Sequence, residues 1–230
     1  MEVIPVIDLK GGAVVHARKG ERHLYRPIVT PLAPGSDPVD VVAGLLSLHP
    51  FATLYIADLD AIAGGDGNGD AIERLRQRFP RLRLWIDSGI GTRTRAQNWL
   101  ARGLGDLVLG SETLADAATA RALAEDPRVV LSLDFRGPAL QGPADLLAGA
   151  AAWPRRVIAM TLDRVGSHAG PDLERLRAVK DLAGRREVFA AGGIRDAADL
   201  RALVQATIAG VLVATSLHDG RISSADLRAL

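Results

Sequence analysis

The 230-residue sequence has no cysteine, which excludes disulfide frameworks and thiolate-metal sites and leaves the redox compartment unread. It has no excess charge of either sign. The 28 Lys and Arg against 27 Asp and Glu leave a formal charge of +1, with acids and bases mixed along the chain. No broad field for nucleic acid or an anionic membrane results, so any anion must be bound locally. No apolar run approaches the roughly 20 residues of a membrane span, and the chain starts directly on a strand-like Val3-Ile4-Pro5-Val6-Ile7. A cytoplasmic protein is the expectation, with neither nucleic acid nor membrane as partner. The five histidines (His16, His23, His49, His168 and His218) have no ligand spacing, so no metal is expected, and no Ser/His/Asp arrangement stands out.

What is present is short apolar runs alternating with amphipathic stretches. Residues 3–7, 53–57, 82–86, 107–109, 129–133, 157–160, 188–190 and 211–213 read as strands. Between them, residues 38–48, 70–79, 92–102, 115–124, 143–153, 172–182 and 197–204 read as helices, with a short one near 223–230. Strict alternation with strands apolar on both faces predicts an α/β fold with a parallel sheet. Eight units in this length fit a single (β/α)8 TIM barrel better than an open doubly wound sheet.

The chain also repeats itself. Pro5-Val6-Ile7-Asp8-Leu9-Lys10 matches Leu131-Ser132-Leu133-Asp134-Phe135-Arg136 at an offset of 126, and residues 89–111 superpose without a gap on 193–215 at an offset of 104. Ala57-Asp58-Leu59-Asp60 likewise aligns with Met160-Thr161-Leu162-Asp163. Two half-barrels, about 1–126 and 127–230, would close one ring as a single domain.

In such a barrel the chemistry sits at the C-terminal strand ends. Those ends carry Asp8, Asp58, Asp87, Asp134 and Thr161, and half-buried carboxylates cost several kcal/mol unless paired or hydrogen-bonded. Asp8 and Asp134, on strands across the ring, suit proton transfer at a small substrate, one donating to a ring oxygen while the other takes a proton from the adjacent carbon. Thr161 would fix substrate hydroxyls. Asp58 and Asp87 are as well explained by turn caps. Gly-rich turns follow in register: Gly89 and Gly91 with Gly110 and Ser111 in one half, Gly192 and Gly193 with Ala214 and Thr215 in the other. Each can cradle an anion on backbone N–H groups, so the expected substrate is small and carries two phosphates. Residues 11–35, with His16, Arg18, Lys19, His23 and Tyr25, are too long for a simple turn and read as a lid; residues 165–171, with His168, read as a second.

These motifs resemble the half-barrel family of histidine biosynthesis, which contains the phosphoribosylformimino-aminoimidazole-carboxamide ribotide isomerase and the synthase subunit of imidazole glycerol phosphate synthase. The resemblance covers essentially the whole chain. It implies an Amadori-type aldose–ketose isomerisation with Asp8 as general base, Asp134 as general acid, Thr161 assisting and no cofactor. The recognition loops depart from the isomerase pattern: Arg164-Val165-Gly166-Ser167 stands for Arg-Asp-Gly-Thr, Gly142-Pro143 for Gly-Trp, and Asp87-Ser88-Gly89 for a run of glycines. Val15-His16-Ala17, Gly20-Glu21-Arg22 and Tyr25-Arg26-Pro27 are more similar to relatives in methanogens and methylotrophs, which implies a phosphorylated substrate in tetrahydromethanopterin biosynthesis. A non-catalytic phosphate-binding barrel is the alternative of another class, and a monomer or small homo-oligomer is expected.

Overall fold

The computed structural model describes residues 1–17 and 21–230. Eight strands form the barrel: β1 (Glu2–Lys10), β2 (Thr53–Asp58), β3 (Arg83–Asp87), β4 (Asp106–Gly110), β5 (Val129–Arg136), β6 (Arg156–Thr161), β7 (Glu187–Ala191) and β8 (Gly210–Val213). Each pairs in parallel with the next, and β8 closes on β1 through Glu2↔Gly210 to Pro5↔Val213. The closed eight-stranded α/β barrel is therefore the observed fold.

Two apolar layers hold it. Alternate strand residues such as Ile4, Tyr55, Trp85, Val108, Val130, Ile158, Phe189 and Leu212 fill the interior. Their neighbours in sequence, including Ile7, Leu54, Ile86, Leu109 and Leu131, pack outward against helix residues such as Val41, Leu45, Leu75, Leu176 and Leu203. The helices begin where side chains satisfy the first-turn N–H groups. Asp37 caps Pro38–Leu48, Thr92 caps Arg93–Ala101, Asp172 caps Leu173–Ala183 and Asp196 caps Ala197–Gln205. Ser223 and Asp226 form a reciprocal capping box on Ser224–Arg228.

The ring's N-terminal end is sealed by charge and aromatics together. Arg156 pairs with Asp106 at 2.9 Å, lies 5.1 Å from the Trp85 ring centre and donates to the Pro127 carbonyl. Trp85 in turn meets Phe189 edge-on at 4.9 Å.

One expectation changes. The helix expected over 143–153 is a series of turns ending in a 3-10 turn, Ala150–Ala152. Gly149 interrupts the pattern and Pro154 ends it, while Trp153 Nε1 donates to the Leu146 carbonyl and pins the turns instead. The segment after β1, expected as a lid, carries short strands among its described residues. Ala13–His16 runs antiparallel to β1 and Arg26–Pro27 antiparallel to that strand, a ribbon that brings Val15, Ala17 and Tyr25 into the inner apolar cluster.

Candidate functional site

The C-terminal mouth of the barrel opens into a cavity whose floor is set by strand parity. Ile4, Val6 and Asp8 alternate inward on β1, and Val130, Ser132 and Asp134 do so on β5. Asp8 and Asp134 therefore face one cavity from strands four places apart in the ring of eight, joined by Asp87 from β3, Glu112 from the turn after β4 and Tyr55 from β2.

Asp134 is 5 % exposed and is held by Ser132 Oγ at 2.7 Å on one oxygen, and by Ser111 Oγ and the Glu112 N–H, both at 3.3 Å, on the other. Burial pushes its pKa up, the hydrogen bond from Ser132 opposes this, and the nearby charges of Asp87 and Glu112 add to the rise, leaving it at about 7. Burial, then the fields of Asp87, Asp134, Asp8 and Glu112, hold the Tyr55 phenol well above its ordinary value. Tyr55 is thus a protonated hydrogen-bond donor ringed by four carboxylates.

A side chain at Gly110 would meet two of them. Its Cβ would lie 2.9 Å from Asp87 Oδ2 and 3.4 Å from Asp134 Oδ2, so only glycine lets the two carboxylates approach the same point. Ser111 is fully buried and serves Asp134 twice, donating from Oγ and accepting the Asp134 N–H at 2.8 Å. Gly89 N–H donates to Asp87 Oδ1 at 3.0 Å. Gly91 is packed against the Thr113 carbonyl, and neither Gly89 nor Gly91 lines the cavity.

In the second half Gly192, Gly193, Ala214 and Thr215 all line it. Gly192 and Gly193 have φ of +100° and +85°, backbone conformations that glycine adopts without a Cβ clash. The Gly193 carbonyl accepts from Gly170 N at 2.9 Å, which docks residues 165–171 on this turn. His168 lies in that segment, faces the cavity and sits 3.7 Å from Asp219. Thr215 Oγ1 is 3.4 Å from His16 Nε2, and buried His218 meets Thr30 at 3.1 Å. Burial, and then the charge of His16, push the His218 pKa down to about 4.

Two residues expected at the substrate are placed elsewhere. Asp58 is buried with both oxygens engaged by Asn68 and a further bond from Ala61 N–H, so it fixes the turn after β2 and does not line the cavity. Thr161 pairs in register with Phe135, a residue of the outer layer, while its neighbours Met160 and Leu162 line the cavity. In both cases the strand's inward residue is the one before, Ala57 or Met160. Arg18 lies outside the described residues. Tyr55 and Glu112 were not anticipated. The first is hidden within an apolar run, and the second is signalled only by its place directly after Gly110-Ser111. Among the described residues no group of three His, Asp or Glu side chains is arranged to hold a metal ion, and no helix is long and apolar enough to cross a membrane.

Comparison with known proteins agrees with this geometry over nearly the whole chain. An uncharacterised protein of Methanocaldococcus jannaschii is 29 % identical over 96 % of this chain and 94 % of its own length. Proteins of Parasynechococcus marenigrum (31 % identical, 100 % of this chain and 94 % of the relative) and Symbiobacterium thermophilum (29 %, 100 % and 96 %) are similar too. Both are named as the isomerase of 1-(5-phosphoribosyl)-5-((5-phosphoribosylamino)methylideneamino) imidazole-4-carboxamide. The family described as histidine biosynthesis protein matches residues 2–223, and with a closed barrel presenting Asp8 and Asp134 to one mouth, the chain belongs to that family.

Proposed function

We propose that this protein is an aldose–ketose isomerase of the Amadori type, acting on a phosphorylated aminosugar with Asp8 and Asp134 as its acid/base pair. The observation that carries the reading is the pair itself: two carboxylates on opposite strands of one ring, facing one cavity, one of them with a pKa of about 7. A carboxyl group half-protonated at neutral pH suits proton donation. Asp134 gives its proton to the ring oxygen as the C1–O bond breaks, which leaves an iminium at C1. Asp8 then takes the C2 proton, the C2–H electrons form the enaminol, and return of a proton to C1 as the enol collapses gives the ketose. The Tyr55 phenol donates a hydrogen bond to oxygen developing charge between the carboxylates.

The turns at Gly192, Gly193, Ala214 and Thr215 seat a phosphate, with their N–H groups as donors. The names of the relatives support a phosphoribosyl substrate. The same pair and seat would serve a reaction toward the tetrahydromethanopterin carrier, and substrate identity alone tells the two apart.

The test is turnover of the ribotide named for the relatives, followed by absorbance and product chromatography beside Asp8→Asn. Turnover in the wild type and none in the variant supports the histidine-pathway reaction. If the ribotide is not turned over but phosphate raises the melting temperature, the reaction class stands with another substrate. If phosphate does not stabilise the fold either, the seat is misassigned.

A further inference from the structure

The two acids stand at matching places in the repeat, but the residue two positions before each differs. Pro5-Val6-Ile7-Asp8 aligns with Leu131-Ser132-Leu133-Asp134, so Val6 of β1 corresponds to Ser132 of β5. Side chains two apart on a strand point to the same face, which puts each of these residues directly beneath its aspartate. Beneath Asp8 lies an isopropyl group that lines the cavity; beneath Asp134 lies a hydroxyl bonded to it.

Ser132 is fully buried, and its Oγ donates to Asp134 Oδ1 at 2.7 Å, the usual distance of a good O–H···O bond. The side chain makes this one hydrogen bond among the described residues. Turning the hydroxyl round to accept a proton from Oδ1 would leave its own O–H buried and unpaired, with the full desolvation penalty of an unmade bond. The other oxygen is held less closely. Oδ2 receives Ser111 Oγ and the Glu112 N–H, both at 3.3 Å, and it approaches the point beside Gly110 that Asp87 Oδ2 also reaches. A proton on Oδ2 therefore weakens two long bonds and spares the short one, and it relieves the like charge of Asp87.

We infer that Ser132 is a positioning residue of the acid/base pair: by donating to Oδ1 it fixes the plane of the Asp134 carboxyl and keeps the transferable proton on Oδ2. What that proton does rests on the isomerase reading above, whereas where it sits does not. The hydroxyl also sets how firmly the proton is held. Burial raises the Asp134 pKa, the bond from Ser132 opposes the rise, and Asp87 and Glu112 add to it, with about 7 as the result. Asp8, Tyr55 and His168 face the same cavity, and all these groups remain when Ser132 alone is changed. Without the hydroxyl, Asp134 would hold its proton more tightly than a donor working at neutral pH requires.

The experiment is Ser132→Ala in the full chain, read in two ways. The Asp134 carboxyl is titrated by carbon-13 NMR, its signal assigned by its absence from Asp134→Asn, and turnover of the ribotide is followed from pH 5 to 9. Loss of one hydrogen bond to the ionised form should raise the carboxyl midpoint by about one pH unit and move the alkaline limb of kcat up with it. At pH 7 kcat should fall about tenfold as the carboxyl loses its fixed plane, with KM little changed because Ser132 does not line the cavity. Should Ser132→Ala not fold, Ser132→Cys, close in size and a weaker donor, should move both readouts the same way by less. A midpoint that stays or falls, or one that rises while kcat and its pH limb stay put, overturns the inference and leaves the isomerase reading intact. If the wild type does not turn the ribotide over, that substrate is wrong, and the carboxyl titration alone decides for Ser132: a raised midpoint upholds the inference and an unmoved one overturns it.

Discussion

The two ends of the barrel treat buried charge in opposite ways. At the N-terminal end Arg156 and Asp106 meet at 2.9 Å under the Trp85 ring, a cation matched to an anion and packed against an aromatic face. At the C-terminal end Asp134 lies buried within the fields of Asp87 and Glu112, and Gly110 keeps the gap between two carboxylates open. The first arrangement lowers the free energy of the fold, while the second raises it. A barrel that kept the second against its cost has a use for the strain, and the lesson matches the general division of this architecture into a stabilising bottom and a reacting top.

The largest expected effect comes from removing the acid at the top. Asp134→Asn should lower turnover by about 10²–10⁴-fold, the usual contribution of a positioned acid or base. The same change relieves a buried like-charge contact, so the melting temperature at pH 8 should hold or rise. Loss of activity together with loss of stability would place Asp134 among the structural groups and erase the contrast between the ends.

Acidity sharpens the same contrast without mutation. The Asp134 pKa is raised from 3.8 to about 7, so the folded state holds a proton that the unfolded state has released. Its stabilisation is full below the unfolded value and is lost as pH rises through about 7, by at most roughly 4 kcal/mol. Melting curves from pH 4 to 8 should diverge by this slope, the wild type losing stability relative to Asp134→Asn as pH rises, and turnover should fall above pH 7 as the donor is lost. A wild type and variant with parallel curves would mean that Asp134 titrates normally.

These sites were unequally legible in the sequence, for a reason visible at single residues. All eight strands are legible because apolar runs bounded by polar turns mark them, while their ends shift by one to three residues, at charged residues such as Glu2, Lys10 and Arg136 and at small or polar ones such as Gly110, Thr161 and Gly210. Asp8 and Asp58 look alike in sequence, each ending an apolar run. Only parity separates them, since Asp8 follows inward Val6 whereas Asp58 follows inward Ala57. Barrel strands are buried on both faces, so hydropathy does not alternate and parity leaves no trace. The same blindness hid Tyr55 and misplaced Thr161. The repeat located the Gly-rich turns, but which N–H groups already served Asp87 and Asp134 depended on tertiary contacts no local pattern contains.

At the bottom, Arg156→Met should have the complementary outcome. Removing the cation leaves Asp106, 14 % exposed on its side chain, without its 2.9 Å partner and strips the Trp85 face of its cover. Breaking a largely buried pair from one side costs about 3 kcal/mol, read as a lower urea midpoint, with kcat unchanged because the site lies at the other end of the ring. A fall in kcat with no change in the urea midpoint would show that the two ends are coupled.

The smallest effect concerns how the second-half rim is fastened. His218 closes the short helix after β8 and contacts Thr30 of the β1–β2 connection, joining the turn that carries Thr215 to the ribbon that carries His16. Its pKa is depressed from 6.5 to about 4, first by burial and then by the charge of His16. The unfolded chain therefore takes up a proton that the folded chain refuses, so stability is full above pH 6.5 and is lost as pH falls through about 4. This slope opposes that of Asp134 over the same range, and the two nearly mask each other in the wild type. His218→Gln should expose the Asp134 slope on its own, with about 2 kcal/mol more stability than the wild type retains at pH 4.5 relative to pH 7. Because the fastening sits beside Thr215 and not beside Asp134, weakening it at low pH should reduce phosphate affinity before it affects the acid/base pair. If phosphate binding instead stayed constant as pH fell through about 4, His218 would be a packing residue of the outer wall and the phosphate seat would be held by the Gly192 and Gly193 turn alone.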